Sequence, residues 1–367
     1  MVTWPIELLS HTFKYACSDD FGETARRLGL VSKHFRAIAE PIELRTIKIS
    51  GIEQLQWYFV RLEKLYGSTT EPGSNKTPFY VEHLFISELT AKHALAVDIA
   101  VPQGRIVSTY WGTEEGRITR EFYNSHTVDF WNKASTLIKR AGPKLKTLCL
   151  ISARLWDRPN RSYKGTPDAS PKVLGALNNA TFPNLVFLAV NHNAVSESAW
   201  FSGRDSSFQS PVLPSLRKLH VVSSVFLNGE KYEQVQCQRI HPVLATLITG
   251  TQEIQHLTIC DCHLHMRSVE DILKGLFGKQ WEGSMKNRIL PGKLQTIVLQ
   301  HGTEPYYGCG TGLMGYRRQA QGFVTSVRGL RIGGLEAHLP VPRHPKLGRR
   351  EYEELLAEWK EECLIQV

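Results

Sequence analysis

Apolar positions set the first element of this chain. Pro5, Leu9 and Phe13 recur at i, i+4 and i+8 with Leu8 beside them, and Glu7, Ser10, His11 and Lys14 fill the positions between. That spacing lays one apolar stripe along a helix. Pro5 suits a first helical turn, where its missing N–H leaves no bond unmade. After the turn-like run Ser18-Asp19-Asp20-Phe21-Gly22, a second apolar series, Leu28, Val31, Phe35 and Ile38, is spaced by 3, 4 and 3 residues with Arg26, Arg27, Lys33 and Arg36 interleaved. Pro41 predicts a stop. Helices this short bury too little apolar surface to stand alone, so the module 1–42 is expected to lean on a neighbour or a partner.

From residue 43 the periodicity changes. Leu-x-x-Leu-x-Leu, with Ile or Val tolerated, occurs at Leu44-Ile47-Ile49, Val81-Leu84-Ile86, Leu145-Leu148-Leu150 and Leu185-Leu188-Val190. It returns at Leu216-Leu219-Val221, Ile254-Leu257-Ile259, Leu294-Ile297-Leu299 and Val327-Leu330-Ile332. The starts are separated by 37, 64, 40, 31, 38, 40 and 33 residues, so all but one gap are similar. Pro143, Pro183 and Pro214 each stand two residues ahead of a pattern and Pro291 stands three ahead. Proline belongs at the start of a strand, not its middle, and its recurrence there predicts one repeated strand unit.

Helix-like segments lie between the strand signals, at 52–66, 128–140, 240–248 and 269–281. Strand, turn, helix and turn in about 30–40 residues describe a leucine-rich-repeat solenoid. The turn position three after the third apolar residue holds the expected Asn or Cys only at Asn193 and Cys262, so the array is irregular. The 64-residue gap predicts a hidden repeat or an insertion around 102–120, and 156–171 reads as a long surface loop. Tyr352, Leu355, Leu356, Trp359 and Cys363 make a helix stripe opposite Glu351, Glu354, Glu358, Glu361 and Glu362. It predicts a capping helix over about 349–363 that closes the last repeat.

Composition narrows the class. The chain of 367 residues is 42% hydrophobic and 22% charged, which are globular values. No apolar run approaches the roughly 20 residues of a membrane span. The opening stripe is amphipathic, unlike a secretory leader, and the seven Cys show no framework spacing. A cytoplasmic or nuclear protein with reduced thiols is expected; Asn75-Lys76-Thr77, Asn160-Arg161-Ser162 and Asn179-Ala180-Thr181 are then chance glycosylation patterns. The net charge is +9 and the pI near 9.1. Much of it is local, in Arg317, Arg318, Arg328, Arg331, Arg343, Lys346, Arg349 and Arg350, which read as a solvated face.

The N-terminal residues carry a resemblance. Trp4-Pro5-Ile6-Glu7-Leu8-Leu9, then Phe13, then Leu30-Val31-Ser32-Lys33-His34-Phe35-Arg36-Ala37-Ile38 resemble the F-box motif, with Trp4 where the family has Leu. With the repeats behind it, the chain resembles the F-box/leucine-rich-repeat proteins, which fungi hold in many divergent copies. The fold this implies is α/β: a short helical F-box over 1–42, then a solenoid over 43–367 with parallel strands on its concave face and helices on its convex face. The function it implies is that of a non-catalytic substrate receptor in a Skp-cullin-F-box ubiquitin ligase. Pro5, Ile6, Leu8, Leu9, Phe13, Leu30 and Val31 would then bind a Skp-class adaptor, and the arc would bind a target protein. The alternative is a leucine-rich scaffold, associated with nucleic acid, whose N-terminal helices only cap it.

Alternation along each strand sends positions three and five of each pattern to the concave face. Lys48, His83, Phe85, Phe187, Lys218, His220, His256 and Arg331 are the candidate target-binding residues there, and their basic and aromatic mix would suit an acidic or phosphorylated segment. Cys260-Asp261-Cys262-His263-Leu264-His265 holds zinc-type ligands but not in separated, convergent pairs. Gly308-Cys309-Gly310-Thr311-Gly312 lacks a dinucleotide loop's third glycine and an obvious following helix, and is read as a flexible loop. Asp20-Phe21-Gly22 stands without any other kinase element. No cofactor, metal or membrane partner is expected.

Overall fold

A computed structural model describes residues 5–17, 22–67, 79–88, 90, 114–152, 175–193, 211–224, 247, 251, 253–262, 273–274, 277–301, 310–339 and 347–365. Helices α1 (Ile6–Ala16), α2 (Glu23–Val31) and α3 (Lys33–Glu43) form the N-terminal module around Phe13, Cys17, Ala25, Ile38, Ala39 and Ile42. The second apolar series does not run along one helix. Ser32 is extended between α2 and α3, and its Oγ accepts a hydrogen bond from the Phe35 N–H at 3.1 Å, which caps the new helix. Pro41 lies inside α3, which continues to Glu43, so the stop expected at Pro41 comes later. Gly22 begins α2 at φ +79°, where a Cβ would stand 2.9 Å from the Glu43 carbonyl oxygen; glycine alone fits that contact without strain.

Beyond the module the elements follow as β1 (Thr46–Ser50), α4 (Ile52–Tyr66), β2 (His83–Ser87), α5 (Glu114–Ala141), β3 (Thr147–Ile151), β4 (Phe187–Asn193) and β5 (Lys218–Ser224). They continue as β6 (His256–Cys262), α6 (Lys279–Asn287), β7 (Thr296–His301), α7 (Gly310–Gly329), β8 (Leu335–His338) and α8 (Leu347–Ile365). The strands form one eight-stranded parallel sheet in chain order, an α/β arrangement compatible with a solenoid.

Ile47, Leu84, Leu148, Leu188, Leu219, Leu257 and Ile297 stand side by side across β1 to β7. These are the second apolar positions of the first seven patterns. They are buried, with Leu55 and Leu62 of α4 and Phe130, Ala134, Leu137 and Ile138 of α5 in the same core. The carbonyl just before each strand ties it to the next: Arg45 O accepts the N–H groups of both Glu82 and His83, at 2.9 and 3.0 Å. The carbonyls of Glu82, Lys146, Val186, Arg217 and Gln255 repeat the same fork. The proline turns are stitched as well, since Asn184 Nδ2 donates to Pro143 O at 2.8 Å and Ser215 Oγ donates to Pro183 O at 2.6 Å.

The eighth strand is not where the pattern placed it. Leu335 pairs with Ile297, whereas Val327 lies in α7 and is buried with Phe323 and Val324. Spacing of three residues fits a helix as well as a strand, and here the helix wins. No strand from the 64-residue gap lies between β2 and β3 in the sheet, because the two pair directly, and α5 fills 28 residues of the gap. Of the expected insertion, 114–120 is helical and the rest lies outside the described residues, as does 156–171. The helix read at 52–66 is α4, and that at 128–140 lies within α5. Only Leu247 is described of 240–248, and α6 overlaps just the end of 269–281.

The module is fastened to the sheet by a fork. Arg61 of α4 donates to Glu43 Oε1 at 2.6 Å and Oε2 at 2.7 Å, with the Glu43 carboxylate almost wholly enclosed. Removing Arg61 leaves the enclosed Glu43 carboxylate with the longer contact to Arg26 Nε at 3.8 Å, so Arg61→Ala is expected to lower stability by about 3 kcal/mol, read by urea denaturation. A change within experimental error would mean that the junction rests on apolar contact alone.

Candidate functional site

Two surfaces hold the residues singled out in the sequence. On the N-terminal module, Ile6, Leu8, Leu30 and Val31 are 53%, 52%, 79% and 67% exposed, although all are apolar. Pro5 is exposed beside them, Leu9 is half-buried against the module's core, and Phe13 is buried with its ring edge-on to Phe35 at 5.1 Å. Phe13 therefore belongs to the module's core and is not part of an open adaptor-binding surface. An apolar stripe facing inward accounts for it.

The sheet face opposite α4 and α5, where the pattern placed the candidate target-binding residues, is covered from within the chain. Helix α8 crosses it against β2, β3 and β4, and the expectation that it caps the last repeat is corrected accordingly. Leu355, Trp359 and Cys363, one turn apart along α8, form a second core with Phe85, Cys149, Ile151, Phe187, Ala189 and Val222. The Trp359 and Phe85 ring centroids are 5.5 Å apart. The predicted stripe is right for these residues, and its destination is the middle of the sheet.

That cover removes three candidate target-binding residues from solvent: His83, Phe85 and Phe187 are at most 1% exposed. Two more are engaged by α8, where Lys218 Nζ pairs with Glu362 and His220 Nδ1 lies 2.6 Å from Glu358 Oε2. Glu358 and Glu362, read as outward-facing, turn toward the sheet, while Glu353, Glu354 and Glu361 face solvent. Among the described residues, the fully solvent-facing charges of α8 are thus glutamates, with Lys360 half-buried, the reverse of the basic face expected there. Lys48 is half-buried, and its pKa is held below the usual lysine value by burial and by Lys360 of α8. Arg331 is exposed with φ +53° in the turn between α7 and β8, off the strand on which the pattern placed it.

Past the edge of α8, His256 Nδ1 is 2.6 Å from Thr296 Oγ1. Cys260 Sγ lies 3.2 Å from His220 Nε2 and 3.1 Å from Gln300 Oε1. Cys260 and Glu358 were legible only as a rejected zinc ligand and a solvated carboxylate; what joins them to His220 is the seat of α8. The chain His220 forms between sulfur and carboxylate uses both ring nitrogens, so it does not chelate. Among the described residues no group of three or more His, Cys, Asp or Glu could hold a metal ion, and no helix is long and apolar enough to cross a membrane. Of the zinc-type run, 263–265 lies outside the described residues. Gly310–Gly329 is α7, so a helix does follow the glycine-rich stretch read as a loop, while 302–309 is not described. Arg317, Arg318 and Arg328 are exposed on α7.

Comparison with protein-family models, curated proteins and solved structures finds no match in any of the three.

Two histidines give stability opposite slopes with pH. Burial, with Arg45 adding to it, lowers His83 to about 4; a depressed folded value means stability is lost as pH falls from about 6.5 toward that value. At His220 burial opposes the charge, but hydrogen bonds and charge from Cys260 and Glu358 raise it to about 10. Its contribution is present below about 6.5 and lost as pH rises through the folded value. Thermal unfolding against pH should therefore decline on both sides, and His220→Gln should flatten the alkaline limb only. Trp359→Ala is expected to cost about 3–5 kcal/mol and to bring α8 within reach of a protease, read by limited digestion.

Proposed function

We propose that the chain is a non-catalytic substrate receptor whose N-terminal module docks a Skp-class adaptor of a cullin-type ubiquitin ligase and whose sheet holds a target protein. The observation that carries this reading is the exposed quartet Ile6, Leu8, Leu30 and Val31 on a module that already has its own core. Apolar side chains left outside a formed core favour a partner's surface. The sequence resemblance over these residues names the class of partner. The Arg61–Glu43 fork would hold that partner in a fixed relation to the sheet.

Target recognition, on this reading, falls to the half-buried His256, Thr258 and Cys260 of β6 and to the exposed glutamates of α8, since β2 to β4 are sealed. A basic segment suits such a surface better than the acidic one expected from the strand residues alone.

Co-purification of the full chain with a Skp-class adaptor tests the reading. Stoichiometric capture is expected from the native chain and its loss from the double variant Leu8→Glu, Val31→Glu. Because both sites are exposed, the unfolding free energy should change by no more than about 0.5 kcal/mol per site. No capture by the native chain overturns the proposal, and capture that survives the double variant moves it off this surface.

A further inference from the structure

We propose that Cys260 is a nucleophilic thiolate site for hydroperoxides, held in that state by His220 and Glu358. Three elements bring the groups together: Cys260 is on β6, His220 on β5 and Glu358 on α8. Sγ lies 3.2 Å from Nε2, and Nδ1 lies 2.6 Å from Oε2. A thiol, an imidazole and a carboxylate in that order form a relay. With the imidazole protonated, Nε2–H donates to sulfur and Nδ1–H donates to Glu358, which fixes the ring between them.

The surroundings favour the ion pair. The His220 side chain is 14% exposed, so the pair is little screened by water, and Cys260 is half-buried against the margin of the second core, unlike the fully buried Cys149. The contacts to Cys260 and Glu358 outweigh burial and keep the imidazolium at neutral pH. The Cys260 S–H donates to Gln300 Oε1 at 3.1 Å, and only a turn of that amide would present an N–H donor to the thiolate. Cys149 and Cys363 differ: burial pushes the first well above the usual thiol value and the second up to about 12, so both stay protonated.

Displacement at a peroxide needs only a thiolate and a proton for the leaving oxygen, and both are present. Sγ attacks one oxygen of hydrogen peroxide, the S–O bond forms as the O–O bond breaks, and the departing hydroxide takes the Nε2 proton and leaves as water. Cys260 is oxidised to the sulfenic acid, the peroxide is reduced, and His220 is left neutral against Glu358. The sulfenic acid is open to further thiol chemistry or to reduction.

The test uses the full chain in a Cys262→Ser background, since Arg239 and Arg267 bound one tryptic peptide holding both cysteines. Hydrogen peroxide is added at neutral pH, the sulfenic acid is trapped with dimedone, and labelling is followed by mass spectrometry. Cys260 should label first while Cys149 and Cys363 stay unlabelled. His220→Gln should slow labelling by about tenfold, the loss expected when a thiolate forfeits its cationic partner, and Glu358→Gln should give a smaller drop. As a check free of those variants, the ultraviolet thiolate band of the native chain should disappear in Cys260→Ser. Labelling of Cys260 no faster than of the buried thiols, or the absence of that band, overturns the proposal.

Discussion

A parallel sheet with apolar side chains on both faces needs two covers, because neither face tolerates water. Helices α4 and α5 shield the side of Ile47, Leu84 and Leu148. The opposite side of β2 to β5 carries Phe85, Cys149, Ile151, Phe187 and Val222, and α8 is what shields it. Full burial of a large apolar side chain is worth roughly 1.5–3 kcal/mol, so Trp359 and its neighbours on the sheet anchor the helix far more firmly than its ion pairs do. Everything else on this face follows from that seat. Lys218 is paired with Glu362, His220 is fixed between a carboxylate and a thiol, and the apolar strand residues are closed to other proteins.

Much of the sheet was legible in the sequence. Leu148 and Leu188 stand at the same place in patterns preceded by proline, and the forked carbonyl bonds need only the backbone, so register followed from spacing. Val327 misled because an apolar pair three residues apart serves a helix and a strand alike, and the segment holding it was claimed by α7. Ser32 was missed as a helix boundary because the apolar series runs through it without a break in phase. The stripe Leu355, Trp359, Cys363 announced burial correctly but carried no address. The signal that could have supplied one was on the strands: Phe85, Cys149, Phe187 and Ala189 are poor residues for a face open to water. The grouping of Cys260, His220 and Glu358 had no local trace, since strand neighbours and a distant helix must all be placed before it exists.

The charges show why composition said little about surfaces. A chain with a net charge of +9 presents glutamates over the middle of its sheet, because its lysine and histidine there are consumed by α8. The N-terminal module has the opposite economy. Its core closes on Phe13 and Ile38, and the apolar residues left over have nothing within the module to cover them.

The late position of α8 has a consequence for how the protein is made. Its seat lies on β2, β3 and β4, strands that leave the ribosome long before it does. At about 5–20 residues per second, synthesis takes on the order of ten seconds or more to pass from Asn193, where the seat is complete, to Leu347. Throughout that interval the nascent sheet carries Phe85 and Phe187 uncovered, making it a ready client for chaperones until its own last helix takes their place.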